Sequence, residues 1–283
     1  MTGKPTLTLN GKTVFITGAA SGFGAACAQA AYTAGANVVL LDSSKTGMAI
    51  TARGFIHSRT LAITANLSDL AQIEDAVAQA TEKFGGIDVA FANIGLSNQE
   101  AAKPSTINER FLDSRYDINL LGIWNTVRAC LPQIKARNGH IQITSSSYGY
   151  ETGIANAPHK IPKIAVELFN RELRKELAGS NASAGVFFPG WVLSQVSVGE
   201  ISGFQIATEL LKQVYYGKMT NPAASELVDS SILEEMLLPD AYPIHPRRAS
   251  PIALFSGCRN LISDRNFNEN LRYREMSGAM SMA

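Results

Sequence analysis

His159 and Lys163 stand four residues apart, and Ser146 precedes His159 by thirteen. A hydroxyl, an imidazole and an ammonium are groups that can hold a substrate oxygen and move a proton. Imidazole starts near a pKa of about 6.5, and a neighbouring ammonium lowers it further. At neutral pH the ring is then mostly uncharged, able to accept an alcohol's proton but a poor donor to a developing alkoxide. The set therefore favours base catalysis over acid catalysis. Pro162 lies between the two residues. If a helix starts at Pro162, where proline is welcome, His159 falls on the preceding loop and need not share a face with Lys163. A purely structural His159 is the alternative.

A second group of residues points to a nucleotide. Gly18, Ser21, Gly22, Phe23 and Gly24 follow the apolar run Thr13 to Thr17 and precede the small-residue stretch Ala25 to Ala34. Glycines at a strand-to-helix junction let backbone N–H groups approach a pyrophosphate at the helix N-terminus. Asp42 closes the next apolar run, at the distance where a carboxylate binds an adenosine ribose and repels a 2′-phosphate. An acidic turn former is the other reading of Asp42. No arginine stands in the turn or directly after Asp42, and Lys45 is the nearest cation. NAD is expected, with NADP disfavoured.

The elements that must position these residues alternate. Val38 to Leu41, Leu61 to Ala65, Val89 to Ala92, Ile141 to Ile143 and Val186 to Phe188 read as further buried strands. Leu70 to Phe84 reads as a helix, with Ser68 as N-cap and Gly85-Gly86 as the stop. Asn119 to Ala136 and Ile164 to Leu177 read as two more, the latter stacking Ile164, Leu168, Phe169, Leu173 and Leu177. Alternation with continuous apolar strands implies a parallel sheet covered on both faces.

The glycine turn is followed in order by Asn93-Ile94-Gly95, Asn119, the cluster Ser145-Ser146-Ser147 and a helical lysine. This order resembles the short-chain dehydrogenase/reductase family from Lys12 to about Ser194. The resemblance implies one α/β domain, a Rossmann-type doubly wound parallel sheet with helices on both faces. It also implies a catalytic tetrad of Asn119, Ser146, a tyrosine and Lys163, and here His159 occupies the tyrosine's place. In the family serine and tyrosine hold the substrate oxygen, and the lysine binds the nicotinamide ribose and lowers the tyrosine pKa. Imidazole ends short of a tyrosine hydroxyl, so a bridging water is expected. Ser145 and Ser147 are read as flanking turn residues.

On the cofactor side, Asn66 replaces the family's usual aspartate near adenine, with Leu67 as its apolar neighbour, and Asn93 and Gly95 match the segment supporting adenine. Pro189, Gly190, Val192 and Ser194 resemble the segment that meets the nicotinamide carboxamide. Tyr150, Trp191, Leu193 and Phe204 could line an apolar substrate wall. The implied activity is NAD-dependent oxidation of a secondary alcohol, or reduction of a ketone, on a hydrophobic small molecule. A non-redox isomerase, dehydratase or cyclase on the same fold, or a silent dinucleotide-binding relative, are the alternatives. Family members commonly pair the helices equivalent to Asn119 to Ala136 and Ile164 to Leu177, which implies a homodimer or homotetramer.

Composition fits this picture. The 283 residues carry 25 basic and 24 acidic side chains, and 46% are hydrophobic, which gives no electrostatic case for nucleic acid. Residues 190–250 read as a substrate-side lid and 251–283 as an atypical tail within the single domain. Cys27, Cys130 and Cys258 form neither a CxxC pair nor a disulfide framework. With no apolar stretch of signal-peptide or membrane-span length, a cytoplasmic protein without a membrane partner is expected.

Overall fold

In Thr13–Thr17 every residue is buried, so the strand β1 is covered on both faces, as a central parallel strand must be. The computed structural model describes residues 8–96, 107–146, 157–187, 207, 208, 210–212 and 214. After β1 come helix α1 (Gly22–Thr33), β2 (Asn37–Asp42), α2 (Lys45–Thr51), a short 3-10 turn and β3 (Thr60–Thr64). Then follow α3 (Leu70–Phe84), β4 (Val89–Ala92), α4 (Glu109–Tyr116), a π-helical turn over Asp117–Leu121 and α5 (Gly122–Ala136). Strand β5 (His140–Thr144), α6 (Ala157–Leu177) and β6 (Ser183–Phe187) complete the described order.

The six strands pair in the order β3-β2-β1-β4-β5-β6, all parallel. The chain thus reverses direction across the sheet between β1 and β4. In such sheets the crevice beyond the carboxyl ends of the strands at this switch point is where ligands bind. Phe15, Val39, Ala90 and Ile141 face one way and pack with Ile73, Val77, Val127 and Val166 of the helices. Val14, Ile16, Val38, Leu40 and Phe91 face the other way, where α1 packs through Cys27, Ala28 and Ala31. Burial pushes the Cys27 and Cys130 thiols well above their ordinary range. The described helices include none long and apolar enough to cross a membrane.

At the amino ends of the strands, Asp88 accepts from the Thr13 amide at 2.9 Å, from Lys12 at 3.1 Å and from Arg137 Nε and Nη2 at 3.2 Å each. Asp88→Ala would leave a buried amide without its acceptor and two cations without their counter-charge. A loss of about 2–3 kcal/mol in unfolding free energy is expected in urea denaturation.

Several boundaries differ from those the sequence suggests. The cap of α3 is Asp69, whose carboxylate accepts from the Ala71 and Gln72 amides. Ser68 instead donates to the Asp117 carbonyl at 3.2 Å. The helix expected from Asn119 to Ala136 is α5 from Gly122, and helical backbone leads into it through the π-turn from α4, which is capped by Asn108 and too polar to show an apolar face. Helix α6 starts at Ala157, with Pro162 as its sixth residue. There the missing N–H removes only a single bond near the helix start, so the helix runs through. Its buried face is Lys163, Val166, Glu167, Asn170, Leu173 and Leu177, whereas Ile164 and Leu168 are exposed. Strand β6 begins at Ser183, earlier than the apolar run alone suggested.

Candidate active site

The glycine-rich turn is shaped by contacts that a side chain would block. Gly18 and Gly22 have positive φ, +67° and +54°. A Cβ on Gly24 would collide with the Gly18 carbonyl and come within 2.8 Å of Asn93 Nδ2. Ser21 caps α1 by position, but its side chain makes no capping bond, and the first turn holds no acid. The turn therefore presents helix N-terminal amides that suit a pyrophosphate. Asp42 is fixed at the end of β2, accepting from the Ala20 amide at 3.2 Å and from the Ser44 amide at 2.9 Å. Gly22, Gly24 and Asp42 fit a nicotinamide dinucleotide by cradle and by donor chemistry.

Asn93 ties three strand ends together, its amide donating to Thr17 Oγ1 at 3.2 Å and its Oδ1 accepting from Thr144 Oγ1 at 2.9 Å. Phe23, Asn66 and Leu67 each have contacts within the protein. The Phe23 ring stacks on Phe187 with centroids 5.1 Å apart. Asn66 turns the chain into α3, accepting from the Ser68 amide at 3.1 Å while its own amide donates to Gln72. Leu67 is buried in the core. Asn125, which the sequence reading passed over, donates to the Ser68 carbonyl at 3.1 Å and fastens this loop to α5.

The second cluster gathers around one backbone group. Asn119, fully buried in the π-helical turn, accepts from the Leu96 amide and donates through Nδ2 to the Leu96 carbonyl at 3.1 Å. His159 Nδ1 lies 3.3 Å from that same carbonyl. A carbonyl only accepts, so this contact places the ring proton on Nδ1 and the lone pair on Nε2. One helical turn on, Lys163 Nζ donates to the Ile94 carbonyl at 3.1 Å and to the Thr144 carbonyl at 2.9 Å. Because α6 begins before His159, the two residues share a helix face, and the loop alternative is removed. Gly95 makes room: a Cβ there would come within 3.0 Å of Lys163 Nζ.

Burial pushes the Lys163 ammonium down to about 8, so at neutral pH it is still charged. Burial, then the charge of Lys163, hold His159 below its ordinary range; the Leu96 carbonyl opposes this and Arg115 adds to it. The imidazole is therefore neutral at pH 7. Ser146 sits half-buried just past β5. Ser145 is no turn residue: its buried hydroxyl lies 2.9 Å from the Lys163 carbonyl and 2.8 Å from Glu167 Oε1, anchoring the end of β5 to α6. Ser147, Tyr150, Pro189, Gly190, Trp191, Val192, Leu193, Ser194, Phe204, Cys258, most of the lid span and the whole tail lie outside the described residues.

Arg115, Leu96 and Glu167 belong to this neighbourhood and were not read from the sequence. Leu96 acts through its backbone, which no side-chain pattern reveals. Arg115 lies four residues before Asn119, a spacing that would have found it had the helix been extended backwards.

Residues 12–202 match the model of the short chain dehydrogenase family. The oxidoreductase UcpA of Salmonella typhimurium is 30% identical over 226 residues, covering 76% of this chain and 84% of that protein. The D-beta-hydroxybutyrate dehydrogenase of Cupriavidus necator is 31% identical over 196 residues, covering 66% and 72%. Among solved structures, a short-chain dehydrogenase/reductase of Brucella melitensis superposes with a TM-score of 0.67 at 25% identity, over 79% of this chain and 94% of that one. The chain belongs to the short-chain dehydrogenase/reductase family. It is thus a member of an oxidoreductase family that binds nicotinamide dinucleotides.

Proposed function

We propose that this chain is an NAD-dependent dehydrogenase that oxidises a secondary alcohol of a largely hydrophobic small molecule, with His159 as the base. The observation that carries this reading is the His159 Nδ1 contact with the Leu96 carbonyl, which leaves Nε2 as the acceptor on a neutral ring. When bound, the dinucleotide supplies the hydride acceptor. Ser146 holds the substrate oxygen, and His159 Nε2 takes the hydroxyl proton, directly or through one water. Lys163 binds the nicotinamide ribose, and Asn119 holds the β4 loop on which His159 leans. Asp42 supports NAD over NADP, its carboxylate already oriented by two backbone amides.

The first experiment follows NADH formation from 3-hydroxybutyrate and a panel of hydrophobic secondary alcohols between pH 5 and 10, with a parallel NADP+ series. A base whose pKa is lowered stays deprotonated to lower pH. The acid limb of kcat/KM is therefore expected below about pH 6.5. A limb centred near the Lys163 value would overturn the base assignment, and equal use of NADP+ would overturn the Asp42 reading. Dinucleotide-independent turnover would favour isomerase or dehydratase chemistry.

The same reading takes the protein as a cytoplasmic homodimer or homotetramer. Leu121 and Trp124 at the π-turn and start of α5, with Ile161, Ile164 and Leu168 of α6, are large exposed apolar residues at helical spacing, and Trp124 stacks on Phe169 at 4.3 Å. Such a stripe supports helix pairing between copies.

A further inference from the structure

The end of β5 and helix α6 are clasped in both directions. The Lys163 ammonium donates to the Thr144 carbonyl at 2.9 Å, and the next hydroxyl along, that of Ser145, reaches back to the Lys163 carbonyl at 2.9 Å. Each bond joins a side chain of one element to the main chain of the other. The Ser145 amide also donates to the Phe187 carbonyl at 2.8 Å, which fixes the same residue to β6. Ser146 follows directly in the chain. A hydroxyl rotates unless its neighbours hold it. Here the neighbour is Glu167, one helical turn beyond Lys163, whose Oε1 lies 2.8 Å from Ser145 Oγ.

Glu167 is buried, and burying a carboxyl costs stability that an apolar side chain of the same size would not. What the carboxyl adds is a hold on the Ser145 hydroxyl. We infer that Glu167 is a positioning residue that, through Ser145, sets where Ser146 and Lys163 stand relative to each other. The inference rests on the reading of Ser146 and Lys163 as members of the reaction site. The link runs through the Lys163 carbonyl, while the Lys163 ammonium donates to the Ile94 and Thr144 carbonyls. Without the clasp, the lysine's main chain is free to drift from the β5 end, and water gains access to its ammonium. A displacement well under one ångström at such a site is enough to weaken both the hold on a cofactor and the chemistry.

The test uses the full chain and reads the titration midpoint of the Lys163 ammonium by NMR of the labelled side chain, with NAD+ affinity measured by calorimetry on the same samples. Wild type should titrate near its value of about 8. Glu167→Leu is expected to raise that midpoint by about one pH unit, as water reaches the ammonium, and to weaken NAD+ about tenfold. Ser145→Ala should do the same, and it serves if the leucine variant does not fold. The double variant should be no worse than either single one, because both act through one hydroxyl. Glu167→Gln, which can still accept from Ser145 or donate to it, should keep the wild-type midpoint. Variants that lose melting temperature but keep the wild-type midpoint would reduce Glu167 to packing and overturn the inference, as would a glutamine variant shifted as far as leucine, or fully additive effects. A raised midpoint with unchanged NAD+ affinity leaves the clasp standing and overturns only the ribose role given to Lys163.

Discussion

Alanine at position 159 is expected to lower NAD-coupled alcohol oxidation by about 10²–10⁴-fold, the usual contribution of a positioned proton acceptor. NAD binding by calorimetry should stay within a few-fold of wild type, because the proposed cradle, the glycine turn between β1 and α1 with Asp42, does not include His159. Undiminished turnover in the alanine variant would assign the base elsewhere. Tyrosine at the same position is the informative companion. Its hydroxyl reaches beyond the imidazole, and Lys163 lies one turn away to lower its pKa. As a proton donor it should bring ketone reduction, monitored as NADH consumption, up toward the oxidation rate. The ratio of the two turnover numbers at saturating substrates and fixed pH is the measurement, since the equilibrium fixes the ratio of kcat/KM values, and it is expected to be larger with His159.

Placing a methyl group on Gly24 should have the other large effect. The added Cβ would overlap the Gly18 carbonyl and press on Asn93 Nδ2, so the turn has to open. Overpacking of this kind costs about 1–3 kcal/mol, and here it falls on the segment that presents amides to the pyrophosphate. Gly24→Ala is therefore expected to lose most of its NAD affinity in calorimetry and several degrees of melting temperature. Substitution at Gly54, where a Cβ meets nothing within 4 Å though φ is +84°, controls for backbone strain alone. Wild-type NAD affinity in Gly24→Ala would mean that the turn is not the phosphate site.

These expectations show what the sequence made legible. Strands β1, β2 and β4 were readable because their interiors are buried on both faces and so appear as unbroken apolar runs. The glycine turn and Asp42 were readable because close backbone approach leaves a fixed spacing of residue types. Helix starts were less so. Helix α4 exposes Glu109, Arg110, Asp113 and Ser114 and half-buries the rest, so no apolar stripe announces it, and Arg115 went unread with it. Proline at 162 suggested a boundary that the structure places five residues earlier, because proline's cost depends on where in the helix it falls. Ser145 looked like its neighbours in sequence; only the geometry of β5 against α6 separates it from Ser146.

The Leu96 carbonyl, shared by Asn119 Nδ2 and His159 Nδ1, is a joint made entirely of main chain. Side-chain substitution at 96 leaves it in place, so an alanine scan across this region would pass over the position as silent while marking Asn119 and His159 as separate essentials. The two are instead fastened to one rivet, and their losses should combine less than additively in a double mutant. Only a change to the backbone itself, such as an ester in place of the amide that follows Leu96 and the weaker acceptor it leaves, would expose the rivet directly.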